Sequence, residues 1–181
     1  MSTPDVVRAI PALAELANGA DRIHVKSVAC RKTLREFVAA ILSYMPDWML
    51  FLYRVRGVFV RLLGTRQDAI PRRLSLAPED VSFVPGDEGG FFTVVSAEEE
   101  RYWIGEAKDK ILSGYLGVVV EPFEDGAKRF HIITMAKYRH WTGPIYFNVI
   151  NPFHHIVVFF MARAAVKAGE SDGGNYARIE R

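Results

Sequence analysis

The longest apolar stretch of the chain, residues 141–168 (WTGPIYFNVINPFHHIVVFFMARAAVKA), constrains the fold more than any other. An element this long and this apolar has to be covered along one side, and the only partners are the elements before it. Thr142 is placed to cap it. Asn151-Pro152 repeats a helix-start signal, because proline lacks the N–H that an interior position donates yet suits the first helical position after an asparagine cap. The pattern predicts a short helix to about residue 150, a kink or restart, and a longer helix over 152–167, with Phe153, Ile156, Val157, Phe160 and Ala164 in one stripe against the rest of the protein. A membrane-spanning helix needs about 20 mostly apolar residues. The uninterrupted run is only 156–162, so the expectation is a kinked lid rather than a span, with contact to a membrane surface left open.

The residues before the lid read as a sheet. Residues 22–28 alternate as a first strand, and further strands are expected near 81–84, 91–96, 101–105, 112–121 and 128–139, separated by turn-rich segments such as Pro85-Gly86-Asp87 and Glu124-Asp125-Gly126. Such short connections imply antiparallel pairing. Leu112, Gly114, Leu116, Val118 and Val120 share a side, as do Phe130, Ile132, Thr134, Ala136 and Tyr138, opposite Ser113, Tyr115, Glu121, Arg129, His131, Lys137 and Arg139. The expectation is one apolar face and one wet face.

Two helices follow the first strand. Thr33 and Glu36 have capping-box spacing, and Leu34, Phe37, Val38, Ile41, Leu42 and Met45 repeat on one helical face. Pro46 closes that helix and Asp47 starts the next, where Trp48, Phe51, Leu52, Val55, Phe59 and Leu62 repeat the pattern as far as Gly64. Residues 65–80 read as a surface connection. The expected organisation is a leader at 1–20 with one helical turn around 13–16, a single domain at 21–168 and a flexible tail at 169–181.

That order, strand, two helices, antiparallel strands and long terminal helix, resembles the helix-grip fold of the START-like, birch-pollen-allergen-like superfamily, which includes polyketide cyclases and lipid-transfer domains. GPIYFNVINPFHHIVVFFMARAA is similar to the C-terminal signature of a family of uncharacterised bacterial proteins, a domain of unknown function found alone or fused to short-chain-dehydrogenase-like proteins. The likeness covers residues 20–168 and is carried by packing residues, so no catalytic residue comes with it. Six strands are counted where the superfamily commonly has seven. The fold class is therefore read as α+β, with a curved antiparallel sheet of about six strands wrapped on a long kinked C-terminal helix.

The resemblance implies a cavity between sheet and terminal helix that suits an apolar or lipid-like molecule. Tyr102, Thr134 and Tyr138 are the expected polar contacts, and Leu116, Val118, Phe153 and Val157 the expected walls. Two other functions stay open: a cyclase- or dehydratase-type enzyme using the same cavity, and an accessory module that engages a membrane surface or a partner. For the last, residues 54–73 hold six arginines against Asp68, which is +5 and leaves −3 for the rest of a chain of net charge +2. Arg54, Arg61 and Arg66 are the candidates for an anionic surface, weighed against an ordinary solvated helix face.

Other chemistry has little support. The single Cys30 excludes an internal disulfide and a cysteine-based zinc cage and fits a reducing, cytoplasmic setting; the first residues show no export signal. His154 and His155 are adjacent, so on a helix they point about 100° apart and do not share a metal. One of them facing the cavity would be a proton donor, though packing of one and solvation of the other has the greater weight. Gly86, Gly89 and Gly90 match no phosphate-binding spacing. No metal, cofactor or nucleic acid is expected, and the oligomeric state is not legible.

Overall fold

The computed structural model describes residues 4–62 and 73–167. The elements are α1 (Asp5–Arg8), α2 (Pro11–Asn18), β1 (Arg22–Cys30), α3 (Leu34–Ser43), α4 (Asp47–Leu62), β2 (Glu88–Gly89), β3 (Phe92–Glu98), β4 (Tyr102–Lys108), β5 (Leu112–Pro122), β6 (Lys128–Tyr138) and α5 (Gly143–Lys167). The six strands form one antiparallel sheet in the order β1-β6-β5-β4-β3-β2. Strands β2 to β6 are thus a meander, and β1 returns to the edge beside β6. The sheet curves without closing and carries α5 across it, the α+β helix-grip arrangement expected.

The inner face builds the main core. Val28, Trp103, Leu116, Val118, Phe130 and Ile132 of the strands are buried with Leu34, Phe37, Val38 and Ile41 of α3 and with Ala162, Ala165 and Val166 of α5. Phe37 stacks on Phe130 with ring centroids 4.1 Å apart. Burying each such side chain contributes about 1.5–3 kcal/mol. The start of α3 is set by its capping box: Thr33 Oγ1 accepts from the Glu36 N–H at 3.2 Å, and Glu36 Oε2 accepts from the Thr33 N–H at 2.7 Å.

The other face is not wet. Val7 of α1, Leu13 of α2 and Ile10 between them are buried against Ile104, Val119, Ile133 and Met135, making a second core and a third layer. A Cβ on Gly117 of β5 would lie 3.0 Å from Leu13 Cδ2, so glycine there lets α2 approach the sheet closely without Leu13 having to shift. The polar ends of β5 and β6 dominate their alternation, while their middles are apolar on both sides, Val118 and Ile132 toward one core and Val119 and Ile133 toward the other.

Three further expectations change. Residues 81–84 form no strand: Val81 is buried against α3, Ser82 Oγ accepts from the Val84 N–H at 3.1 Å and donates to Asp87 at 2.6 Å, and this local bonding replaces ladder pairing. The short β2 takes the sixth place instead. Helix α5 does not break at Asn151-Pro152 but runs through Pro152. Asn148 and Pro152 both lie on the exposed side, so the carbonyl that loses its N–H donor is left to solvent rather than buried. Finally, the apolar stripes read on the last two helices point outward. On α5 it is Tyr146, Phe147, Ala162, Ala165 and Val166 that are buried, while Phe153, Ile156 and Phe160 are exposed; on α4 it is Met49 and Val60 that are buried, while Phe51, Val55 and Leu62 are exposed.

Candidate functional site

Between the β1–β6 edge and α5 lies an open pocket of about 340 Å³. On β1, His24 and Lys26 are in phase with the core residues Val28 and Cys30, so they line its wall; Ile132 and Thr134 come from β6, and His154, His155 and Val158 from α5. The β1–β6 register, with His24 opposite Thr134 and Lys26 opposite Ile132, sets these four side by side.

His154 Nε2 lies 3.1 Å from Thr134 Oγ1. The His24 ring stacks parallel to Phe147 at 6.3 Å and meets His155 edge-on at 4.6 Å, while its buried Nε2 has no partner among the described residues. Lys26 Nζ sits 4.4 Å from the centre of the Phe159 ring. Burial, then the neighbouring His24 and His155, pushes the His154 imidazole down to about 4. Burial lowers His24 as well, helped by His155 and Arg22, and lowers Lys26. No carboxylate lines the pocket. At neutral pH the wall therefore offers neutral His154 and His24 as hydrogen-bonding groups, the Thr134 hydroxyl and the Lys26 ammonium.

A pH dependence follows. His154 binds its proton near 6.5 in the unfolded chain and about 4 in the native one, so the native state is favoured above 6.5 and loses that advantage as pH falls from 6.5 toward 4. The loss amounts to up to about 3 kcal/mol. Urea unfolding at pH 7 and near pH 4.5 measures it, and His154→Gln is expected to flatten the difference; an unchanged slope in that variant would show that other groups carry it.

Of the side chains expected around a cavity, Thr134 lines this pocket. Leu116 and Val118 are buried deeper in the main core, and Tyr102 lies on the opposite sheet face, its hydroxyl 3.0 Å from Ser96 Oγ. Tyr138 packs beside Phe147, Val157 is half-buried and Phe153 faces solvent. His24 and Lys26 were missed because their alternation read as an edge strand; the phase they share with Val28 and Cys30 is the signal that finds them. Of the basic candidates, Arg54 and Arg61 are exposed, and Arg66 lies outside the described residues. Arg56 turns inward, bound to Tyr146 and Asp109, and Arg73 pairs with Asp47.

The β1–β6 register also sets Ser27 opposite His131, and Glu121 reaches His131 diagonally from β5: Ser27 Oγ lies 2.8 Å from His131 Nδ1 and His131 Nε2 3.2 Å from Glu121 Oε2. This serine–histidine–acid row was not legible in the sequence. It sits on the sheet face that carries α1 and α2, and Glu121 is half-exposed, so the row ties three strands together at the end of that face. Among the described residues no three His, Cys, Asp or Glu side chains are placed to hold a metal.

A family model described as "Protein of unknown function (DUF2867)" matches residues 16–161, from the second helix through most of α5. No curated protein matches the chain significantly.

Proposed function

The chain belongs to the DUF2867 family, and from that premise we propose that it holds a small amphipathic molecule in the pocket beneath α5, one with an apolar body and an anionic or hydrogen-bond-accepting end. The observation that carries this reading is the composition of the wall. Lys26 is its cation, no carboxylate faces it, and the buried His24 Nε2 lacks a partner among the described residues. An unsatisfied buried nitrogen costs about 1–3 kcal/mol, which a ligand oxygen or hydroxyl would offset. Ile132 and Val158 supply the apolar side. The volume sits at the lower end of small-molecule sites. Likeness to START-like helix-grip domains supports the same location, between sheet and terminal helix.

Decanoate, an anionic single-chain lipid, is a suitable probe. Saturation at about a hundred times the dissociation constant stabilises a fold by about 2.7 kcal/mol, or about 5–10 °C in Tm for a chain of this size. Val158→Trp is expected to fill the pocket and abolish that shift while leaving the circular dichroism spectrum intact. Absence of any shift with decanoate, together with no retained molecule in native mass spectra of the purified protein, sinks the reading.

A further inference from the structure

Two apolar stripes have no partner within the described structure. On α4, Phe51, Val55, Val58 and Leu62 recur every three or four residues and stand outward, Phe51 being 62% and Leu62 79% exposed. On α5, Ile145, Val149, Phe153, Ile156 and Phe160 do the same, from 48% exposed at Phe153 to 39% at Phe160. That spacing confines the α5 stripe to an arc of about 80°, on the side away from Phe147, Ala162 and Ala165. The two helices lie antiparallel and in contact: Trp48 at the start of α4 meets Phe160 late in α5 at 5.5 Å, and Phe59 late in α4 stacks on Tyr146 early in α5 at 6.3 Å. An exposed apolar surface of this extent on a folded domain marks a contact surface.

Charge says what it contacts. Residues 127–167 contain no Asp or Glu, and α4 has none after Asp47. Arg54 and Arg61 flank the α4 stripe and make no ion pair among the described residues; Arg163 and Lys167 continue the α5 stripe at the same spacing. Among the described residues, Asp47 is engaged with Arg73 and Asp109 with Arg56. An apolar stripe bordered by cations that make no ion pair among the described residues, on helices with no carboxylate after Asp47, is complementary to lipid headgroups that carry negative charge. Helix α5 is long and apolar enough to cross a bilayer, with a mean hydropathy of 1.4 in its most apolar window, 17% of which is buried. Its other side, however, packs on α3, β1 and β6, and leaving them would expose the main core. The helix therefore suits the membrane plane rather than a span.

We propose that the α4–α5 face docks on an anionic lipid surface, with Phe51, Leu62, Phe153 and Phe160 in the boundary between headgroups and acyl chains and Arg54, Arg61, Arg163 and Lys167 at the phosphates. The proposal is independent of the pocket. It is tested by flotation of the full chain with vesicles of phosphatidylcholine alone or with about 30 mol % phosphatidylglycerol. Binding is expected with the anionic vesicles and is expected to be at least about tenfold weaker with neutral ones. Phe153→Ser with Phe160→Ser, and separately Arg54→Glu with Arg61→Glu, should each weaken it about tenfold or more. These side chains are exposed, so the variants are expected to keep the wild-type circular dichroism spectrum and decanoate response. The proposal is overturned by failure of the parent chain to float, by equal flotation with both vesicles, or by variants that bind as the parent does. It is equally overturned if the chain is dimeric in solution and Phe153→Ser makes it monomeric, which would assign the face to a second copy.

Discussion

Replacing Trp103 by alanine is expected to lower stability by about 3–5 kcal/mol, a large share of the roughly 5–15 kcal/mol that holds a domain folded. The side chain is fully buried in the main core. Its indole Nε1 donates to the Ser82 carbonyl at 3.1 Å, which anchors the segment before β2, and its ring meets Phe92 edge-on at 6.3 Å. Two glycines make room for it. A Cβ on Gly105 would fall 2.4 Å from the indole Cη2 and 2.8 Å from Phe92 Cβ, and one on Gly89 would fall 3.1 Å from Cζ2. Gly105→Ala should therefore overpack the site at a cost of about 1–3 kcal/mol, and part of that cost should disappear in a Trp103→Phe background. Urea denaturation of the four proteins in this cycle measures the coupling. Additive losses would mean that Gly105 does not exist to seat the indole.

Trp103 also illustrates how far the fold could be read from the residues alone. The strand containing it, the next two strands and the capped helix α3 announce themselves through alternation, turn residues and a capping box, all of which are local. The second face of the sheet did not, because its apolar middle, Val119, Ile133 and Met135, is framed by polar residues that dominate the pattern. What buries it is a pair of helices of only four and eight residues, too short to announce themselves by a long repeat, and their docking beside Gly117 is a tertiary fact. The stripes on α4 and α5 mark the opposite failure. Periodicity located them but gives no sign of direction: a helix shows the same spacing whether its apolar side meets a sheet or something outside the protein. In the second half of α5 small residues, Ala162 and Ala165, carry much of the inward contact, and a reading weighted toward large apolar side chains passes over them. The candidate pocket was legible in position, between sheet and terminal helix, and in Thr134. The adjacent pair His154 and His155 could be named but not oriented, and His24 and Lys26 were not legible, because the phase of β1 becomes informative only once Val28 and Cys30 are known to be buried.

Removal of Asp109 should have the second largest effect, and its consequences reach the surface. Arg56 is the polar exception on the inward side of α4: its Nε donates to the Tyr146 hydroxyl and its guanidinium pairs with Asp109, both partners being mostly buried. The same carboxylate accepts from the Ile111 and Leu112 N–H groups at 2.7 and 2.8 Å, so one side chain holds the β4–β5 connection, α4 and, through Arg56, the start of α5. Asp109→Ala leaves a largely buried guanidinium without its counter-charge and two amides without an acceptor. A loss of about 3 kcal/mol is expected, at the low end for a buried pair because some solvent reaches it. Asp109→Asn retains an acceptor oxygen for the amides and should recover about 1 kcal/mol of that. Hydrogen exchange distinguishes a local role from a general one. Amides of α4 should exchange faster in Asp109→Ala than those of α3, to which neither Arg56 nor Asp109 is hydrogen-bonded among the described residues. If α4 is docked by this network, the variant should also bind anionic vesicles more weakly than its exposed charges alone would dictate, since the two apolar stripes would no longer be held side by side. Equal protection of α3 and α4 in the variant would place the ion pair outside the forces that fix α4.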